Sequence, residues 1–151
     1  MIRVFQKYPH LLEIAYGATQ NLLFPFRRWL KPGSWIERLF IRTEHFTKGA
    51  LFGCQMCGQC VLHSTGMTCP MNCPKNLRNG PCGGVRPNGH CEIIPEMPCV
   101  WVQAWERSKS MPQYGTGILH ILPPLNRSLG GSSAWINELA GISQPPPGWE
   151  E

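Results

Sequence analysis

Residues 53–60 read Gly-Cys-Gln-Met-Cys-Gly-Gln-Cys. Cys54, Cys57 and Cys60 stand three apart, with small or polar residues between them. That spacing suits a loop whose thiolates converge on an iron–sulfur cluster while backbone N–H groups point at its sulfides. Five more cysteines follow, Cys69, Cys73, Cys82, Cys91 and Cys99, and no others occur in the chain. The fourth ligand of such a loop usually comes from farther along and is often followed by proline. Cys69-Pro70 and Cys73-Pro74 both have that form.

Eight cysteines suffice for two four-thiol sites. One division sets Cys54, Cys57, Cys60 and Cys73 against Cys69, Cys82, Cys91 and Cys99. Exchanging Cys69 and Cys73 is equally consistent with the spacing. One [4Fe-4S] cluster plus one structural zinc is a further option, because zinc accepts four thiolates tetrahedrally. The expected cofactors are therefore one or two [4Fe-4S] clusters, with zinc in place of one as the alternative.

The rest of the chain is read outward from this region. Gly53, Gly58, Gly66, Gly80, Gly83 and Gly84 permit tight turns beside the thiols. Glycines and prolines exclude long elements between residues 50 and 99. Before them, residues 8–30 are loosely helical with breaks near Gly17 and Pro25, and Pro32-Gly33 is a turn. Ser34 stands three residues before Glu37, a capping box that predicts a helix from about Trp35 to Thr47, ended by Gly49. Trp35, Leu39, Arg42 and Phe46 share one face of it. Helix pattern returns at Val100–Ser108, with Trp101 and Trp105 four apart, and at Ala134–Ala140, capped by Ser132 or Ser133 and closed by Gly141. The expected fold is a small metal-stabilised, irregular cysteine-rich core with short α-helices on both sides and extended N- and C-terminal arms. Residues 1–48 form a helical packing or partner-binding segment, 49–110 the metal-cluster domain, and 111–151 a Gly/Pro-rich arm with one short helix. The core is too small to stand on apolar burial alone, so it is expected to fold only when loaded.

Composition sets outer bounds. The chain has 151 residues, only 15% of them charged, with 16 glycines and 15 prolines. This excludes a TIM barrel, a doubly wound nucleotide domain and a polytopic membrane protein. Fourteen Lys/Arg against nine acidic residues, all glutamate, give +5, and the excess lies in residues 1–48. Two clusters, each 2− with its four thiolates, would bring that to +1, and no Lys/Arg block of five occurs. Nucleic acid is therefore not an expected partner. The opening residues do not read as a signal peptide and no apolar stretch is long enough to span a bilayer. A reducing cytoplasm is expected, where clustered thiols serve metals rather than disulfides.

No autonomous catalyst is visible. With no aspartate, a Ser/His/Asp arrangement is impossible, and Glu92 and Glu96 are the only carboxylates among the cysteines. No phosphate loop or dinucleotide fingerprint occurs. His63 and His90 lie in the cysteine region, where a supporting hydrogen bond suits them better than ligation. Asn76, Arg78 and Asn79 could donate to cluster sulfides or to a partner. Met56, Met67, Met71, Met97, Trp101 and Trp105 either shield a cluster from water or form a plain apolar core. The chain reads as a non-catalytic subunit, an electron carrier or structural adaptor whose partner performs the chemistry. Its apolar flanks fit burial against that partner better than packing on so small a core. Membrane-surface contact is a lesser alternative, at Arg27 and Arg28 beside Phe26 and Trp29.

The run GCQMCGQCVLHSTGMTCPMNCPKNLRNGPCGGVRPNGHCEI, followed by PCVWVQAW, resembles the methylenetetrahydrofolate reductase C-terminal domain family, including its MetV-type small subunits. The likeness covers roughly residues 50–108, and all eight cysteines match the family pattern position by position. The resemblance implies an iron–sulfur, alternatively also zinc-bearing, accessory subunit of a hetero-oligomeric one-carbon oxidoreductase. It implies a larger catalytic partner, a TIM-barrel flavoprotein of the methylenetetrahydrofolate reductase type. The competing reading is a zinc-stabilised interaction subunit without a redox role. Residues 1–48 and 112–151 lie outside the motif.

Overall fold

The computed structural model describes residues 7–143. Among them the regular structure is helical, with no strand beyond an isolated bridge between His90 and Pro98. The four α-helices are α1 (Pro9–Leu23), α2 (Trp35–Phe52), α3 (Val100–Ser108) and α4 (Ala134–Leu139), joined by short 3₁₀ turns.

α1 begins with Pro9 in its first turn and runs through Gly17 without interruption. α2 starts as its capping residues predict. Ser34 Oγ accepts the Glu37 N–H at 3.3 Å, while the Glu37 carboxylate reaches back to the Gly33 N–H at 2.6 Å, one residue earlier than in the usual capping box. The helix does not stop at Gly49. It continues to Phe52 and ends at Gly53, whose φ of +63° places it in the left-handed region. The Gly53 N–H then returns to the Gly49 carbonyl and the Cys54 N–H to that of Lys48. A lone glycine costs a helix only about 1 kcal/mol, so Gly49 is tolerated where Gly53 must turn the chain.

The faces of α2 invert the usual pattern. Glu37, Glu44, Lys48 and Phe52 are buried, while Trp35, Leu39 and Phe46 are exposed. The inward charges are answered by the last part of the chain. Glu44 accepts from the Ser133 hydroxyl and, at 3.3 Å, from the Trp135 N–H, and it pairs with Lys48 at 2.7 Å. Lys48 also lies 5.0 Å over the Trp135 ring. Glu37 accepts the Ser133 N–H.

Residues 111–143 therefore do not stand off as an extended arm. Met111 is buried, and Ala134, Trp135, Ile136 and Asn137 of α4 are the inner residues of that helix. Trp135 stacks on Tyr16 of α1 at 4.9 Å, and Tyr16, Phe52, Leu62, Met67, Met111 and Trp135 form the main core. A smaller cluster gathers around Cys99, Trp101 and Ala104. The many polar contacts that bind this segment to the rest were not visible as hydrophobic periodicity.

Glu13 is the tightest of these links. It is fully buried on α1, and its Oε1 accepts the N–H groups of Gln113 at 2.9 Å and Tyr114 at 2.6 Å. Glu13→Ala removes a charge-assisted acceptor from both donors. The expected loss of unfolding free energy is about 1–3 kcal/mol, measured by urea unfolding. Unchanged stability would show that the link contributes nothing.

Candidate metal centre

α2 delivers the chain directly into the thiol region. Gly53 turns it, and Met56 holds a left-handed φ of 49° between Cys54 and Cys57. That conformation costs a non-glycine residue about 1–2 kcal/mol. It brings the Met56 N–H to 3.4 Å from Cys54 Sγ. The Leu62 N–H is likewise directed at Cys60 and the Met71 N–H at Cys69. Three thiols thus each receive a backbone N–H from the residue two positions on. Gly58 follows Met56 with φ of +75°, and a Cβ there would collide with the Leu129 carbonyl. The Gly58 carbonyl accepts from Asn137 Nδ2 at 2.9 Å, and that of Met56 from the Gly131 N–H at 2.8 Å. The C-terminal segment therefore clamps the loop from outside.

Two cavities result. Cys54, Cys57, Cys60 and Cys69 line the first, beside Glu44, Lys48, Met56, Met71 and Arg78. Cys73, Cys82, Cys91 and Cys99 line the second, beside Lys75, Glu92, Met97 and Trp101. Of the two divisions the spacing allows, the cavity linings match the one that groups Cys69 with Cys54, Cys57 and Cys60. The reason is the 3₁₀ turn Pro70–Asn72, anchored by the Asn72 side chain on the Phe52 carbonyl at 2.7 Å. It leaves Cys69 on the first rim and carries Cys73 to the second.

The second rim is built by a pinned loop. The Cys91 N–H bonds the Met97 carbonyl and the Cys99 N–H that of Gly89, both at 2.9 Å. Arg86 holds the Cys91 carbonyl at 3.2 Å, and Lys75 pairs with Glu92.

Charge and burial distinguish the first cavity. Burial pushes the Cys69 thiol up to about 12 and raises Cys54 and Cys60 as well, against the N–H donors that favour their thiolates. Burial works against the Lys48 ammonium, yet Cys60 and Glu44 outweigh it and hold its pKa above the ordinary lysine range. Arg78 is buried at the same rim. Its Nε donates to the Pro123 carbonyl at 3.0 Å and its Nη2 to the Gln59 carbonyl at 3.4 Å, while Nη1 has no oxygen or nitrogen acceptor among the described residues and the guanidinium meets the Cys57 thiol. Burial lowers its pKa and the adjacent Cys57 and Cys60 resist that shift.

All eight cysteines are free thiols. The raised Cys69 pKa has a consequence for the metal-free chain. Its fold favours the protonated thiol, so that stability is complete below the ordinary pKa of 9.0 and declines as pH rises toward about 12. The urea midpoint of metal-free protein should fall across that alkaline interval, and a midpoint that rises there would contradict the burial assigned to Cys69.

The other sequence candidates fall elsewhere. His63 stacks on Tyr16 at 5.2 Å and its pKa is lowered by burial, while His90 Nδ1 lies 2.7 Å from the Pro95 carbonyl. Neither lines a thiol cavity. Asn79 is bonded to Leu122 through both its amide groups. Met67 shares the main core with Cys69, Trp105 is half-exposed, and Met56, Met71, Met97 and Trp101 line the thiol cavities. Lys48 and Glu44 were missed, although their i,i+4 spacing on a helix was a readable pair.

The family description "Methylene-tetrahydrofolate reductase C terminal" matches residues 34–128. The chain belongs to this family. The match covers all eight cysteines and all of α2 and α3, and stops before Ser132 and Ala134, which complete the first cavity. Neither the curated proteins nor the solved structures include a significant match.

The donor chemistry of the reductase C-terminal chain fits thiophilic metals. Four thiols line each cavity, and at the first one three of them receive a backbone N–H and the Arg78 guanidinium adjoins Cys57, a donor set suited to sulfur-rich anionic groups. Among the described residues no three His, Cys, Asp or Glu side chains converge closely enough to hold a single ion. Each cavity encloses about 20 Å³ of open space, so a larger group requires the rims to part.

Proposed function

We propose that this chain is a metal-carrying, non-catalytic subunit of a larger one-carbon oxidoreductase, with Cys54, Cys57, Cys60 and Cys69 holding one group and Cys73, Cys82, Cys91 and Cys99 another. Family membership supports the one-carbon setting and the subunit role. The observation that carries the metal reading is the sorting of eight free thiols, four and four, onto two rims. A [4Fe-4S] cluster, when bound, supplies one-electron transfer.

The chain's own residues prepare such a site in three ways. The N–H groups of Met56, Leu62 and Met71 stabilise thiolate charge without adding protons. Lys48 and Arg78 place two cations beside the first rim, with Glu44 as partial compensation. The surrounding methionines and, at the second rim, Trp101 exclude water. The proposed partner is a larger flavin-bearing catalytic subunit, with this chain delivering electrons to it in a cytoplasmic complex.

Zinc is the second reading. The small open volume of each cavity favours a single ion over a cluster, while the lack of three converging donors among the described residues counts against either group without movement of the rims. Anaerobic purification of the assembled complex decides between them. Iron, acid-labile sulfide, a reduced-cluster electron paramagnetic resonance signal and a co-purifying flavoprotein are the expected results. A colourless zinc protein would establish the structural alternative, and a complex that carries neither iron nor zinc as isolated would overturn both.

A further inference from the structure

Residues 9–52 contain three acidic side chains, Glu13, Glu37 and Glu44, and all three are turned inward. The exposed charges of the same stretch are Arg27, Arg28, Lys31, Arg38 and Arg42. The outer surface of the α1–α2 hairpin is therefore cationic without exposed acidic side chains. Large apolar groups protrude among these cations. Phe24 and Phe26 are each 54% exposed, Trp29 77% and Trp35 71% at the turn between the helices, and Leu39 and Phe46 continue outward along α2. Arg27 sits 4.5 Å over the Phe24 ring, so charge and aromatic surface share one place.

Arginine and aromatic residues are common at protein interfaces too, so the occupant is chosen by charge: five exposed cations with no exposed carboxylate among them call for an anionic surface. Here cations alternate with protruding Trp and Phe, the combination that suits the boundary between lipid headgroups and acyl chains. No described helix is long and apolar enough to cross a membrane. We propose that the hairpin surface, led by Phe24–Trp35, docks in the plane of an anionic lipid bilayer. The aromatic side chains enter the interface and Arg27, Arg28 and Lys31 meet the lipid phosphates. This inference does not depend on what the thiols hold.

The test is co-sedimentation of the full chain, within its native complex, with vesicles of mixed phosphatidylglycerol and phosphatidylcholine or of phosphatidylcholine alone. Binding to the anionic vesicles, weakened by salt, is expected. The triple variant Arg27→Gln, Arg28→Gln, Lys31→Gln should bind about a hundredfold more weakly. The double variant Phe26→Ser, Trp29→Ser should also lose binding while keeping circular dichroism and metal content, because these side chains are exposed. Absence of binding to either vesicle, equal binding to neutral lipid, or indifference to both variants would overturn the proposal. Dissociation of the complex by the double variant, with lipid binding retained, would assign the surface to a protein partner instead.

Discussion

Cys57→Ser is expected to empty one metal site and leave the other filled, and Cys82→Ser to do the reverse. The two residues occupy different rims, the first with Cys54, Cys60 and Cys69, the second with Cys73, Cys91 and Cys99. A serine hydroxyl is a poor ligand for thiophilic metals, so each variant breaks one four-thiol set. Metal per chain should fall by about half in each variant and nearly vanish when both changes are combined. Solubility should fall with it, because metal binding contributes to folding. The Cys57 variant should be the less stable of the two, since its rim adjoins the main core through Phe52, Leu62 and Cys69. Metal analysis with thermal unfolding of each anaerobically purified variant provides the check. Full metal content in either variant, or loss of one and the same group from both, would break the four-and-four division.

Gly58→Ala should destabilise the chain strongly without touching a thiol. Its φ of +75° costs an L-residue about 1–2 kcal/mol. The added methyl would also collide with the Leu129 backbone, which cannot swing aside as a side chain would. Moving that backbone disturbs the Gly131 bond to Met56 and the Asn137 bond to Gly58. Overpacking of this kind costs about 1–3 kcal/mol. The sum is about 2–5 kcal/mol, a fall of about 5–20 °C in the unfolding midpoint for a domain of this size. Gly131→Ala is the matched control. Its φ is +82° but nothing lies within 4 Å of a Cβ there, so only the backbone cost applies. Equal shifts in the two variants would remove the close approach to Leu129 from the account.

Local chemistry made part of this structure legible. The Ser34–Glu37 pair marked the start of α2, and the apolar spacing at Val100–Ser108 matched α3 at both ends. Ser133 and Gly141 bracketed the short α4. In each case neighbours in sequence decide the outcome through a cap or a turn. The allocation of Cys69 and Cys73 was not legible, because both precede proline and the decision falls to Asn72 bonding Phe52, twenty residues away. The inner face of α2 was not legible for a similar reason. Trp35, Leu39 and Phe46 share one face, but backbone and hydroxyl donors from residues 133–135 draw Glu37 and Glu44 inside instead. Pattern reading counts side chains on one element and cannot see donors that arrive from a hundred residues downstream.

The dependence of Glu13, Glu37 and Glu44 on residues 113–135 also bears on how the chain matures during translation. While the ribosome is still making the middle of the protein, Glu37 and Glu44 have only their local partners Gly33 and Lys48, and the later donors to all three carboxylates have not been synthesised. Those helices can form early but cannot settle, and their final seating waits for the last quarter of the message. A chain released early would expose its cationic, aromatic hairpin with nothing behind it, and quality-control proteases would meet that species first.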